Sequence, residues 1–366
     1  MRRVQQSAAK GAAAFLLAAA LLGGARPASA ASLPASDYRV TIDWTSQRQL
    51  AAGSDNWPVT WAADGKVYTI WGDGGGFAGR FPYVSIGLAA LTGLDAATIQ
   101  GRTLIGGSQP AIAPCFPLLA NVLPENRTWA GCQGKAHAKS YGLLALGRSL
   151  YAWTQPGSCR PEYGHATLHR NELGTNRWAS ADWKLTGLFS PTFVQKGRDH
   201  VAGDFVHLYA VRIAIRDPAA RCLSVMGRPV GEIVLARAPK GADLLDRRVW
   251  RWWNGAGWGD GSVKAPVFRH AAGIGPKISA TYLPHLERYV LVTEVGGSEE
   301  GTIAFHESTN PTGPWRTMLQ AKFPGTTFMA TILPQSLRGD RFTIGFTGTG
   351  AHDALNLVDA RILPVP

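Results

Sequence analysis

Amphipathic helices are what this chain of 366 residues has least of. Beyond the first thirty residues, hardly any window repeats apolar side chains at helical spacing, which points away from helical folds. Charge is sparse as well: 17% of residues are charged, and no helix or loop carries a dense Lys/Arg stripe, so nucleic acid is not expected as a partner. There are four cysteines, Cys115, Cys132, Cys159 and Cys222, with no C-x-x-C among them, which argues against a zinc site. Nothing in the sequence implies a redox cofactor or a bound metal. After the N-terminus no apolar run approaches the ~20 residues of a membrane span, so membrane insertion is not expected.

The apolar run that does exist is short and alanine-rich. "GAAAFLLAAALLGG" (residues 11–24) follows Arg2, Arg3 and Lys10 and precedes "ASA" (residues 28–30). A basic start, a short apolar core and a small-residue cleavage site make a secretory signal peptide over residues 1–30. The expected mature domain is residues 31–366, secreted or periplasmic and monomeric. Removing the signal leaves 33 basic and 25 acidic residues, a balance suited to anionic envelope polymers. In an oxidising compartment four cysteines allow two disulfides in three pairings, and Cys115 with Cys132 closes a Pro-rich loop most simply.

What is there in abundance is turn and strand. With 43 Gly and 23 Pro, short aromatic and β-branched runs alternate with breakers, the pattern of an all-β chain. Five hairpins recur: "WPVTWAADGKVYTIWGDG" (57–74), then residues 140–157, 190–212, 278–297 and 327–350. Most are followed by a further strand ("GLAALTG", "ATLHRNE", "EIVLARAP", "TIAFHES", "LNLVDARIL"), and several then by a Trp-bearing segment. Five units of about four strands predict a five-bladed β-propeller, with a pair of β-sandwiches as the rival arrangement. The last unit lacks a fourth strand, which "YRVTIDW" (38–44) can supply, closing the ring.

In such a ring the start of each first strand and the end of each second strand share one face. The first hairpin turns at Asp64-Gly65, a favoured hairpin dipeptide. Counting outward sets Asp73 almost opposite Asn56, beside Asp55, so two carboxylates reach one mouth. Acids held that close cannot both ionise freely, and glycoside hydrolysis needs one protonated and one ionised carboxyl. The bland reading, that both cap turns, competes with this. The same counting brings Lys139, Ser140, Ser190, Lys277, Thr326 and Thr327 to this face, with Glu294 at the end of a second strand. Glu162 and His165 lie in the loop after the second hairpin. Glu294 and Glu162 are therefore candidate additional acids. Asn56, Trp57, Lys139, Ser140, His165, Ser190 and Lys277 are candidate substrate-binding residues. His165 and His169 lie four apart without a helix to align them, so they are not read as a metal pair.

"DNWPVTWAADGKVYTIWGDGGGF", "SYGLLAL", "SPTFVQKG", "LARAPK" and "TNPTGPW" together resemble a family of secreted five-bladed propellers, formerly a domain of unknown function. That family includes the endo-D-arabinofuranases, glycoside hydrolases that cut the D-arabinan of mycobacterial cell walls. The likeness spans most of the mature chain, and the first hairpin is its most specific part. It implies that Asp55 and Asp73 are the catalytic pair and that a polysaccharide or oligosaccharide is the substrate. The cysteine-bearing insertion at residues 101–135 departs from the pattern. The alternative function is a non-catalytic glycan-binding or envelope partner-binding propeller.

Overall fold

The computed structural model describes residues 33–79, 84, 86–106, 138–156, 165–175, 177–212, 231–296 and 300–366. The signal segment, all four cysteines with their disulfide pairing, Glu162 and most of the 101–135 insertion lie outside the described residues.

The described chain is all-β, with only single-turn 3-10 helices between strands. Five antiparallel meanders follow one another. The first runs Val59–Trp61, Val67–Gly72, Ile86–Thr92 and Gln100–Ile105. The second runs Ala138–Leu146, Ser149–Pro156 and His165–Glu172, whose far edge takes Trp178–Ser180 and Leu185–Thr186. The third begins Phe189–Gln195, Phe205–Arg212, Glu232–Pro239 and Arg251–Trp253. The fourth is Ile274–Leu283, Arg288–Val295, Thr302–Ser308 and Arg316–Lys322. The fifth has Met329–Ile332, Arg341–Thr347 and Leu355–Pro364, and its fourth strand is the N-terminal Tyr38–Leu50, paired antiparallel with Leu355–Pro364. The third and fourth meanders join through a short parallel contact, Val194 with Ala280 and Gln195 with Thr281.

Apolar side chains fill the gap between each meander and the next. Ile70 and Leu88 meet Leu143 and Ala152, and Leu144 and Trp153 meet Phe193 and Leu208. Val194 and Leu235 meet Ile278 and Leu291, and Val292 and Phe305 meet Ile332 and Phe346. The last meander then packs on the first: Leu333, Leu355 and Leu357 lie against Trp57, Val59 and Leu91. Alternation explains the pattern. Successive side chains leave opposite faces of a strand, and here both faces are covered, so the inner strands read as continuous apolar runs.

The first hairpin differs from expectation at its turn. Ala62 N–H donates to Lys66 O at 2.9 Å and Gly65 N–H to Ala62 O at 3.0 Å, with Gly65 at φ 84°. That is a three-residue loop ending in a left-handed glycine, so Trp61 pairs with Val67 and the register moves by one. Asn56, at φ 52°, moves it once more, and at the mouth Asp55 pairs with Gly72. Asp73 is therefore the residue just past Asp55's partner, not one opposite Asn56.

Candidate functional site

The mouth of the first meander is built by backbone first. Asp55 N–H donates to Gly72 O at 2.7 Å and Gly72 N–H to Asp55 O at 2.6 Å, which locks the two chains together. Glycine at 72 leaves the room that the two charged groups occupy. A Cβ there would lie 2.6 Å from Asp55 Oδ1 and 3.1 Å from Lys139 Nζ. Asp73 then leaves the strand at φ 48°, a left-handed conformation that Asp tolerates better than most residues. Asn56, Ser190 and Thr326 also have positive φ at the openings of their strands. Register shifts recur nearby, between Ser140 and Gly142, between Phe189 and Thr192, and between Ile274 and Ile278. Bulges and left-handed residues re-aim side chains, and they gather where function needs unusual directions.

Both carboxylates meet one ammonium. Lys139, near the start of the second meander, sits 3.3 Å from Asp55 Oδ1 and in closer contact with Asp73 Oδ2. The three side chains keep 13% (Lys139), 18% (Asp55) and 26% (Asp73) of their surface, so solvent reaches them only from the mouth. Asn56 Nδ2 donates to Asp55 Oδ1 at 2.7 Å. Burial, the largest influence, pushes the Asp55 carboxyl up to about 6. The charges of Asp73 and Asp353 push the same way, and Lys139 and Lys277 oppose them. Burial works against the charge on Lys139, but the two carboxylates override it and hold the amine above the usual lysine range.

The other expected residues fall in different places. Lys277 is buried, with its ammonium 3.6 Å from the centroid of the Phe328 ring, and its charge acts on Asp55. Its backbone N–H donates to Glu294 Oε2 at 3.2 Å. Glu294 is buried against Gly275, where a Cβ would lie 2.0 Å from Oε2. Ser140 and Ser190 are buried at the openings of the second and third meanders, each with an Oγ that has no hydrogen-bond partner among the described residues. Gln155 Oε1 accepts the Ser190 N–H at 3.0 Å and ties those two meanders together. Thr327 is buried, its hydroxyl donating to Pro324 O, and Thr326 is exposed. His165 is exposed at the start of its strand. Trp57, expected to touch substrate, is instead 1% exposed in the seam between the last and first meanders, stacked on Trp71 with ring centroids 6.1 Å apart. An indole buried among apolar neighbours gains more than one left at the rim, so Trp57 supports the mouth from behind.

Asp353 was not among the residues the sequence singled out. Its carbonyl accepts the Gly53 N–H at 2.6 Å, two residues before Asp55, and its charge acts on Asp55. The acid in "GTGAHDAL" comes after the 3-10 turn Gly350–His352 that follows the last hairpin, whereas Asp73 directly follows its strand. Among the described residues there is no group of three or more His, Cys, Asp or Glu placed to hold a metal ion. Among the described residues no helix is long and apolar enough to cross a membrane.

No family model matches the chain, and no curated protein matches it in sequence. Among solved structures, a candidate hydrolase of Bacteroides ovatus ATCC 8483 superposes with a TM-score of 0.53 at 12% identity, over 86% of this chain and 87% of that one. A GH43_1 enzyme of Xanthomonas citri, solved with xylotriose, gives 0.46 at 12% identity over 87% and 90%. A family 117 glycoside hydrolase of Zobellia galactanivorans gives 0.44 at 9% identity over 90% of each chain. The first of these likenesses is one of fold: the chain shares the all-β architecture of the Bacteroides protein.

Proposed function

We propose that the chain is a secreted glycoside hydrolase, built as one five-bladed β-propeller over residues 31–366, that cleaves furanosidic linkages in a cell-envelope polysaccharide. Asp55 and Asp73 act as its general acid and base, and D-arabinan, cut internally, is the substrate. The observation that carries this reading is a pair of carboxyls sharing one buried ammonium, one of the pair raised to about 6. A carboxyl near that value is still partly protonated at near-neutral pH, as a general acid must be. Support for the ring comes from the five seams, the last meander packing on the first, and from the N-terminal strand that completes the fifth sheet. The fold shared with a candidate hydrolase agrees with it, and the first-hairpin motif supplies the furanoside class.

In the reaction the bond from the anomeric carbon to the bridging oxygen breaks. The acid gives its proton to that oxygen as it leaves. A water adds its oxygen to the anomeric carbon, and its proton goes to the base.

The test is to incubate the mature protein and its Asp73→Asn variant with mycobacterial arabinogalactan and follow released oligosaccharides by chromatography. Oligosaccharides from the wild type alone are expected. Release by neither removes D-arabinan as the substrate, and retention of the polymer without cleavage would favour a glycan-binding propeller.

A further inference from the structure

The hydrolase reading, on which this inference rests, names two aspartates without dividing the work between them. We propose that Lys139 and Asn56 are the positioning residues that divide it: they occupy Asp55 Oδ1 so that the acidic hydrogen of Asp55 is carried on Oδ2, and Lys139 keeps Asp73 ionised as the base.

The atoms lead to this directly. Asp55 Oδ1 accepts from Asn56 Nδ2 at 2.7 Å and from Lys139 Nζ at 3.3 Å. An amide N–H and an ammonium both donate and neither accepts, so an oxygen facing both takes the acceptor role. A neutral carboxyl has a single hydrogen, which then resides on the other oxygen. Oδ1 also lies over Gly72, 2.6 Å from where a Cβ would be. Asp55 therefore presents one oxygen held by the protein and one available to give a proton. Asp73 is placed differently. Its Oδ2 takes the closer contact with the Lys139 ammonium, and a charge-assisted hydrogen bond of that kind favours the carboxylate.

The influences on Asp55 oppose one another, and those that favour the proton prevail. Lys139 and Lys277 favour its ionised form, while burial and the charges of Asp73 and Asp353 favour the protonated form and prevail, leaving the carboxyl at about 6. The amine that divides the work keeps its own charge, because two carboxylates offset its burial. Asn56 is suited to its part. It is 2% exposed and holds φ 52°, a conformation that Asn tolerates better than most residues.

The experiment is a carbon NMR titration of the mature protein labelled in its aspartate carboxyls, which requires no substrate. A carboxyl titrating near pH 6 is expected in the wild type and absent from Asp55→Asn. Lys139→Met and Asn56→Gly each remove a donor to Oδ1, so each moves that titration to higher pH, and Lys139→Arg leaves it close to the wild type. Near-ultraviolet circular dichroism confirms that each variant is folded. A signal near 6 that persists in Asp55→Asn and is lost in Asp73→Asn reverses the assignment and overturns the proposal, whereas Asp73→Asn is expected only to lower the signal, because the Asp73 charge helps raise Asp55. A downward shift in Asn56→Gly overturns it too, because it means that Oδ1 carries the hydrogen and Asn56 accepts it. With a cleavable glycan in hand, Lys139→Met lowers kcat about tenfold or more with less effect on KM, and the basic limb of its pH profile moves upward with the carboxyl. A protein that titrates as expected yet cleaves no glycan refutes the hydrolase reading and leaves the location of the proton intact.

Discussion

Gly72 belongs to the site as much as either acid does, although it carries no chemistry. Its backbone is fastened to Asp55 on both sides, and the space above it is filled by the Asp55 carboxyl and the Lys139 ammonium. In Gly72→Ala the chain cannot yield easily, so the side chains must. The expected outcome is a kcat lower by about a hundredfold, since an ångström of misplacement at a reacting group has that effect, with a melting temperature close to the wild type. Steady-state kinetics beside a thermal melt would check it, and unchanged kinetics would remove Gly72 from the site. Ser140 and Ser190 allow a second prediction. Each buries a hydroxyl without a partner, a cost of ~1 kcal/mol or more to the free protein. Ser140→Ala and Ser190→Ala should therefore raise stability in urea titrations and leave the binding of oligosaccharide fragments unchanged. A loss of stability in either would show that its hydroxyl is satisfied within the fold. At this scale the sequence is most readable where partners are local. Asp55, Asn56 and Asp73 come from one hairpin, so counting residues from its turn nearly placed them. Asp353 escaped because it is the packing of the last meander on the first that brings it there. Trp57 was misread because an aromatic beside a polar residue looks the same in sequence whether it faces sugar or core.

Strands and their repeats were legible for a related reason: each meander is short, and its turns are marked by Gly, Pro or Asp. What period alone could not give was register. One left-handed glycine in the first turn and one left-handed asparagine at the mouth each moved the pairing by a residue. The repeat is also chemical. In the second meander His169 stands between Thr154 and Ser180, at 2.8 Å from each, and links the second, third and fourth strands. In the fourth meander His306 stands in the same way between Thr293 at 3.3 Å and Thr317 at 3.1 Å. The strings "LHRNE" and "FHES" carried this rung, and only the paired strands on either side reveal it. Both imidazoles are buried and neutral, each bridging two hydroxyls, so neither is a metal ligand in waiting. Replacing His306 by Leu leaves the buried Thr293 hydroxyl and the half-buried Thr317 hydroxyl without their partner. The expected loss is about 3 kcal/mol in urea unfolding, with a smaller loss in His306→Gln, which can still bond one of them. Equal stability in both variants would mean that packing, not the rung, holds these strands.

Over the whole molecule, protons act on folding and on the proposed chemistry in opposite directions. His169, His200, His207 and His306 are all buried. Burial holds the first two down to about 4, His306 to about 3 and His207 well below the ordinary value of 6.5. The unfolded chain therefore binds protons that the folded one refuses, and stability falls as pH drops below about 6.5. Asp55 has the reverse sign. Its folded value near 6 exceeds the ordinary 3.8, so it favours the fold at low pH and loses that contribution as pH rises through 6. Four groups oppose one. At ~1.4 kcal/mol per pH unit for each group, the net slope is ~4 kcal/mol per unit in the range between about 6 and 4.5. Against a total stability on the order of 5–15 kcal/mol, that is enough to unfold the protein near pH 5. The proposed acid needs its proton, so turnover should decline above about 6 as Asp55 ionises. Activity should then occupy a narrow band around pH 6, with two limbs of different nature. The basic limb should appear at once and reverse on readjusting pH. The acid limb should follow the unfolding curve, deepen with time of incubation and coincide with loss of near-ultraviolet dichroism. The Asp55→Asn variant, inactive at every pH, should keep an acid unfolding limb, steeper by ~1.4 kcal/mol per pH unit because the one opposing group is gone. An acid limb that is instantaneous, with the fold intact at pH 5, would mean that the base and not the buried histidines sets the lower bound.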